Sequence, residues 1–135
     1  MTKDEQEINQ LTKRFFSLFT NVNGQKAKVR DLEEFFLSSG IIINNTSDTP
    51  AVYSRDSFIE PREKLLSSGA LIDFEEWETS HQMQIHHNIA NRTCKYEKSG
   101  ILNGEKFSGR GTKMMQFIKI DDRWILTSVI WTDER

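Results

Sequence analysis

The sequence predicts an α+β domain, with helices packed on one face of a curled sheet. Two observations predict it. From Leu71 to Arg135 the chain reads as four consecutive strands with regularly placed aromatic and polar residues. The first half instead repeats its apolar residues at the three- and four-residue steps of helices. Helices followed by an antiparallel meander place the helices on one side of the sheet. At 135 residues, with 36% hydrophobic and 28% charged residues, the chain has the size and composition of one globular domain spanning residues 1–135.

The first helix runs from Asp4 to about Phe19, where Ile8, Leu11, Phe15, Leu18 and Phe19 make one apolar stripe widened by Phe16. Thr2 and Glu5 have capping-box spacing at its start. Asn21, Asn23 and Gly24 break the pattern. A second helix is expected over Lys28–Ser38, with Val29, Leu32, Phe35 and Phe36 inward. Gly40–Ile43 reads as a short buried strand, and Val52 and Tyr53 as a brief second one. Ser54 caps a third helix reaching about Leu66, in which Pro61 is expected to force a kink or a break.

The sheet strands follow at Asp73–His86, Ile89–Lys98, Lys106–Ile120 and Trp124–Thr132. Ser99–Gly104 connects the middle pair, and Asp121–Asp122 forms a tight turn. Strict alternation puts Trp77, Thr79, His81, Met83 and Ile85 on the inner face of the first of these strands, and Glu76 and Glu78 on the other. On the second, Ala90, Arg92, Cys94 and Tyr96 share a face. The last strand is apolar on both sides, with Trp124, Leu126 and Ile130 opposite Ile125, Val129 and Trp131. Such a strand is covered on both sides, which in a small domain points to a second subunit.

Net charge is −2, against a nucleic-acid partner. No apolar run approaches the length of a membrane span, and Met1–Gln10 lacks the apolar region of a signal peptide. The single cysteine, Cys94, has no disulfide partner within the chain and reads as a small buried strand residue. A reducing cytoplasm is the expected compartment, with no cofactor called for.

His81 is the candidate for proton transfer, since an imidazole among apolar neighbours titrates near neutral pH; the competing reading is a core or interface histidine. His86 and His87 are adjacent, point to opposite faces and read as a solvated turn, and no metal site is expected. Arg92 on an apolar face must be paired or bind an anion. Glu75, Glu76 and Glu78 form either an acid/base cluster or an ion-pair ladder to Arg92, Arg110 and Lys113. Gly109-Arg110-Gly111 lies inside a strand and opens no helix, so it marks a bulge or bend rather than a phosphate loop. Phe16, Phe36, Tyr53, Trp77 and Trp131 can line an aromatic cavity, with Met83 beside His81.

The element order, with Phe58-Ile59-Glu60-Pro61-Arg62, Phe74-Glu75-Glu76-Trp77-Glu78, Ile89-Ala90-Asn91-Arg92, Gly109-Arg110-Gly111-Thr112-Lys113 and Trp124-Ile125-Leu126, resembles the nuclear transport factor 2-like superfamily over nearly the whole chain. It looks closest to the SnoaL-like and related small bacterial domains. The resemblance implies a cone, the cystatin-like roll, in which a curled mixed sheet wraps around three N-terminal-half helices. It implies an internal pocket and homodimerisation through the outer sheet face. It does not name a reaction, because the superfamily holds isomerases, cyclases, dehydratases and non-catalytic adaptors. The resulting expectation is a protein that binds a small hydrophobic ligand in the cone, with lyase or isomerase chemistry as one form of it. The alternative is a non-catalytic association module with a filled interior.

Overall fold

The computed structural model describes residues 1–134. Its first helix, α1, spans Lys3–Ser17 and opens on a reciprocal capping box: Thr2 Oγ1 accepts from the Glu5 amide at 3.1 Å, and the Thr2 amide donates to Glu5 Oε1 at 3.4 Å. A 3-10 turn at Val29–Glu34 stands where a longer α-helix was expected. Pairing with the last strand takes Phe35 and Phe36 out of helical geometry. The Leu126 amide donates to Phe35 O at 2.9 Å, and Phe36 opens strand β1, Phe36–Asn44, in register with Leu126. β1 is therefore longer than the Gly40–Ile43 segment expected. β2 is Ala51–Ser54, and α2 is Arg55–Ser67, capped by Ser54 and Ser57. Helix α2 continues through Pro61 without the expected break.

Four long strands complete the chain: β3 Leu71–His86, β4 Ile89–Leu102, β5 Glu105–Ile120 and β6 Arg123–Asp133. Two of the connections are two-residue turns with both residues at positive φ, Asn103-Gly104 (50° and 86°) and Asp121-Asp122 (49° and 64°). That is the hairpin geometry that Asn, Asp and Gly adopt readily. The sheet order is β2-β1-β6-β5-β4-β3, with β1 and β6 parallel and every other pair antiparallel. Both helices pack on its concave side, α1 against β3 and β6 and α2 against β1, β2 and β3. Ile8, Phe15, Leu32, Ile42, Phe58, Met115, Phe117, Trp124, Leu126 and Val129 fill the space between.

Bulges decide which side chains reach that space. In β3 the register shifts between Glu78 and Ser80. An extra residue inverts the alternation beyond it. Glu76 pairs with Lys98 and Glu78 with Tyr96 before the shift; His81 pairs with Cys94 and Met83 with Arg92 after it. The inner face thus carries Glu76, Glu78, His81 and Met83. Trp77, expected inward, lies on the opposite face, is paired with Glu97 and is 40% exposed. A second bulge, between Gln116 and Phe117 against β6, does the same to the last strand. Trp124, Leu126 and Val129 are all buried on one face, and Ile130 is exposed on the other. The last strand is therefore not evenly apolar on both sides as the strict alternation suggested.

Polar groups at the helix–sheet junction are clasped by Asn21. Its Nδ2 donates to Leu66 O at 3.0 Å and Leu71 O at 2.8 Å, and its Oδ1 accepts from the Phe74 amide at 2.7 Å. One buried side chain thereby ties the end of α2 to the start of β3 and holds both against the segment that follows α1.

Candidate functional site

Between α1, α2 and the concave sheet lies a cavity of about 230 Å³. Phe15 reaches it from α1, Phe19 from the segment just after α1, and Phe58, Arg62 and Leu65 from α2. These helical positions follow from spacing: Phe58 and Arg62 are one turn apart and share a helix face. The sheet contributes Phe74, Glu76, Tyr96, Lys98, Phe107, Lys113 and Trp131, with Asn44 and Thr46 at the end of β1. Asn44, Trp131 and Lys113 lie in one register row across β1, β6 and β5.

Lys113 is the most unusual group in this wall. Its side chain is 4% exposed, and its nearest carboxylate oxygen, Glu76 Oε1, stands at 3.7 Å. The ammonium lies 4.3 Å from the ring centroids of both Tyr96 and Trp131 and 5.8 Å from that of Phe16. Ring faces attract a cation and replace part of its lost hydration. Burial pushes the Lys113 pKa down; Glu76 opposes that shift, and the nearby Lys98 and Arg62 charges reinforce it.

A second arrangement sits beside it. Tyr96 Oη donates to Asp133 Oδ1 at 2.7 Å, and Lys98 Nζ donates to both Asp133 oxygens at 3.1 Å. Burial, and then the bond to Asp133, push the Tyr96 phenol up, so it stays protonated. The contact needs Gly111. A Cβ there would lie 2.8 Å from Tyr96 Oη and 2.2 Å from Thr132 O. The glycine serves close approach, not the bulge expected from the sequence, since pairing runs unshifted through it.

Arg62 completes the wall and differs from both lysines. Among the described residues no carboxylate lies within salt-bridge distance of it, and no acceptor bonds it. Its guanidinium stands 5.1 Å over the Phe58 ring. Burial pushes its pKa down, only partly offset by Glu76 and Tyr53.

Among the residues expected to line an aromatic pocket, only Trp131 lines this cavity, with Glu76 and Lys113 of the expected carboxylate ladder. Phe36 is buried in the core. Tyr53 packs edge-on to Phe58, 5.6 Å between centroids, outside the lining. Phe16 backs the Lys113 ammonium and, with Arg92 and the exposed Trp77, borders a separate groove beside α1. Met83 sits with its Sδ 3.5 Å from Arg92 Nη1. Arg92 is buried and bonded to Glu78 at 2.9 and 2.7 Å and to Asn9 at 2.6 Å, which leaves it engaged by protein groups.

His81 is corrected by the same geometry. It has inner-face parity, yet its side chain is 39% exposed and pairs with Glu78 at 3.4 Å, and it borders neither the cavity nor the groove. It sits on β3, an edge strand of the sheet, so parity alone does not bury it. Of the expected carboxylate ladder, Glu78 meets Arg92 and Glu76 meets Lys113, while Arg110 pairs with Glu134 at 3.1 Å. Cys94 is fully buried, its thiol pushed up by burial and by Glu78. Among the described residues no His/Cys/Asp/Glu cluster has the geometry to hold a metal ion.

Arg62 and Lys98 were missed in the sequence, and Lys113 was named only as a rung of the carboxylate ladder, not as a wall of the cavity. Lys113 did leave a signal. It shares parity with Gly111, Met115 and Phe117, so it is a lone cation in an apolar row.

A curled six-stranded mixed sheet enclosing helices and a hollow defines an α+β cone of the nuclear transport factor 2-like, cystatin-like fold. Solved structures share it. A nuclear transport factor 2-like superfamily protein from Salmonella enterica superposes with a TM-score of 0.78 at 12% identity, over 97% of this chain and 91% of that one. A protein of unknown function from Prochlorococcus matches with a TM-score of 0.76 at 17% identity, covering 100% and 95%. A protein from Exiguobacterium sibiricum, named for the calcium/calmodulin-dependent kinase II association domain, matches with a TM-score of 0.76 at 8% identity, covering 100% and 96%. At such identities the likeness shows the fold and does not select the SnoaL-like subgroup. No protein-family model and no curated protein matches the sequence. Among the described residues no helix is long and apolar enough to cross a membrane.

Proposed function

We propose that this protein binds a small molecule in the cone cavity and acts as a homodimer through the outer sheet face, in a reducing cytoplasm. The cavity around Lys113 carries this reading. A domain serving only association gains by filling its interior, because an unfilled core costs packing energy. Here about 230 Å³ stays open next to a buried ammonium without a hydrogen-bond acceptor. A buried cation held only by aromatic rings and a carboxylate at 3.7 Å, beside an open cavity, is characteristic of functional sites.

The outer face supports the dimer. Val52, Ile43, Ile130 and Met114 form one cross-strand row over β2, β1, β6 and β5. Val52, Ile130 and Met114 are 61%, 41% and 51% exposed, an apolar row that a second copy would cover. The Exiguobacterium neighbour is named for an association domain, which is in keeping with self-association. Proton transfer by His81 is not part of the proposal, since that imidazole lies outside the cavity.

Thermal-shift measurement against a panel of small organic molecules tests the pocket. Binding is expected to raise the melting temperature, and Leu65→Phe, which fills the cavity, should abolish the shifts. No shift across the panel, or shifts unaltered in Leu65→Phe, would refute it. Light scattering should show a dimer that Ile130→Glu with Met114→Glu converts to a monomer. A monomeric unmodified chain at micromolar concentration would remove the dimer.

A further inference from the structure

We infer that the cone cavity is built for a small organic monoanion, a carboxylate on an apolar body, with Arg62 as its anchor. This rests on the pocket reading above and gives the small hydrophobic ligand expected from the sequence an anionic end, held by Arg62 rather than by Arg92. The count of charges is the first observation. Three cations border the hollow, Arg62, Lys98 and Lys113, and two carboxylates face them, Glu76 and Asp133. Asp133 is taken by Lys98 and Tyr96. Glu76 is the only carboxylate beside Lys113 among the described ion pairs. One positive charge is left over, and it belongs to Arg62.

The second observation is what Arg62 lacks. Every other arginine on α1, α2 or the inner sheet face has a carboxylate: Arg14 has Glu34, Arg55 has Asp56 and Arg92 has Glu78. Among the described residues Arg62 has only the Phe58 ring beside it, although it is turned into the hollow. A guanidinium so placed offers a planar fork of donors that matches a carboxylate in two parallel hydrogen bonds. The remaining wall is Phe58, Phe74, Phe107, Leu71 and Leu102, which suits an aryl or short alkyl body. The volume, about 230 Å³, falls below the roughly 300–1,000 Å³ of sites for drug-sized ligands. A phosphate, with close to two charges and no apolar part, matches neither the single spare cation nor the aromatic wall.

Isothermal titration of the full chain separates this from the pocket reading. The probes are phenylacetate and hexanoate, their neutral isosteres phenylacetamide and hexanamide, and inorganic phosphate. The acids should bind at least about tenfold more tightly than the amides, as a charge-assisted bidentate contact implies. In Arg62→Gln the acids should fall to the level of the amides, while the amides keep their affinity. Equal binding of acids and amides to the unmodified chain would overturn the inference and leave the pocket intact. Acid binding unaltered in Arg62→Gln, phosphate binding more tightly than either acid, or no acid binding at millimolar concentration would also overturn it. The comparison of acid with amide needs no variant, so it stands even if Arg62→Gln does not fold.

Discussion

Removing Glu78 should destabilise this protein more than removing its partner Arg92. The guanidinium is 3% exposed and donates two bonds to Glu78, at 2.9 and 2.7 Å, and one to Asn9 Oδ1 at 2.6 Å. Glu78→Ala leaves a buried cation with the Asn9 oxygen alone. Stranding one member of a buried pair costs about 3–5 kcal/mol. The Glu78 side chain is 19% exposed, so water reaches the gap and the lower end, about 3 kcal/mol, is expected. Arg92→Met instead strands a carboxylate that water and His81, 3.4 Å away, still reach. It should cost about 1–2 kcal/mol. Glu78→Leu combined with Arg92→Met should recover much of the loss, because a packed apolar pair replaces an ion pair at little cost. Urea unfolding at pH 7, followed by tryptophan fluorescence, measures each midpoint with the slope held constant. Burial pushes the Glu78 carboxyl up, but the Arg92 hydrogen bonds and charge outweigh it and hold it below its ordinary value. A depressed folded pKa adds stability that is present above the unfolded value, about 4.3, and drains as pH falls through the folded one. That acid-side loss should shrink in Glu78→Gln. A cost below about 1 kcal/mol for Glu78→Ala, or a double variant equal to the sum of the singles, would refute the pairing energetics.

Other consequences can be measured on the same footing. Asn21→Ala removes three hydrogen bonds from a buried clasp and should cost about 3 kcal/mol in urea unfolding; a cost under about 1 kcal/mol would show that water replaces the amide. Gly111→Ala should cost about 2 kcal/mol by displacing Tyr96 from Asp133, and a variant as stable as the parent would show that the strands move apart freely. Cys94, fully buried with its thiol pushed up, should not react with a disulfide reagent until the chain unfolds, and labelling of the native protein at the rate of a free thiol would contradict its burial. Cys94 and Tyr96 both hold their protons more tightly when folded, so stability should fall as pH rises past the unfolded thiol and phenol values, about 8.5 and 10. A flat alkaline profile would argue against that linkage.

Much of the architecture was legible because it is written locally. The stripe Ile8, Leu11, Phe15, Leu18 and the capping residues Thr2 and Ser54 specify the helices, and the Asp121-Asp122 turn and the long alternating runs specify the meander. The second helix was lost because pairing between Phe36 and Leu126, ninety positions apart in the chain, outweighed local spacing. The candidate site was far less legible. Trp77 was assigned inward by a period of two carried through Thr79, where the strand bulges; His81 kept its inner-face parity but lies outside the cavity. Arg62 was passed over, and Lys113 was read only as a rung of a surface ion-pair ladder, because a charged residue reads as solvent-facing until the elements that bury it are known.

Local spacing and capping therefore dictated which segments coil and which extend, since those preferences act within a few residues of chain. The charge of the hollow, the inward turn of Glu76 and the lack of a carboxylate beside Arg62 among the described residues were settled by assembly. Each depends on bulge positions and on which distant strands and helices meet, and neither is encoded in any one stretch of residues.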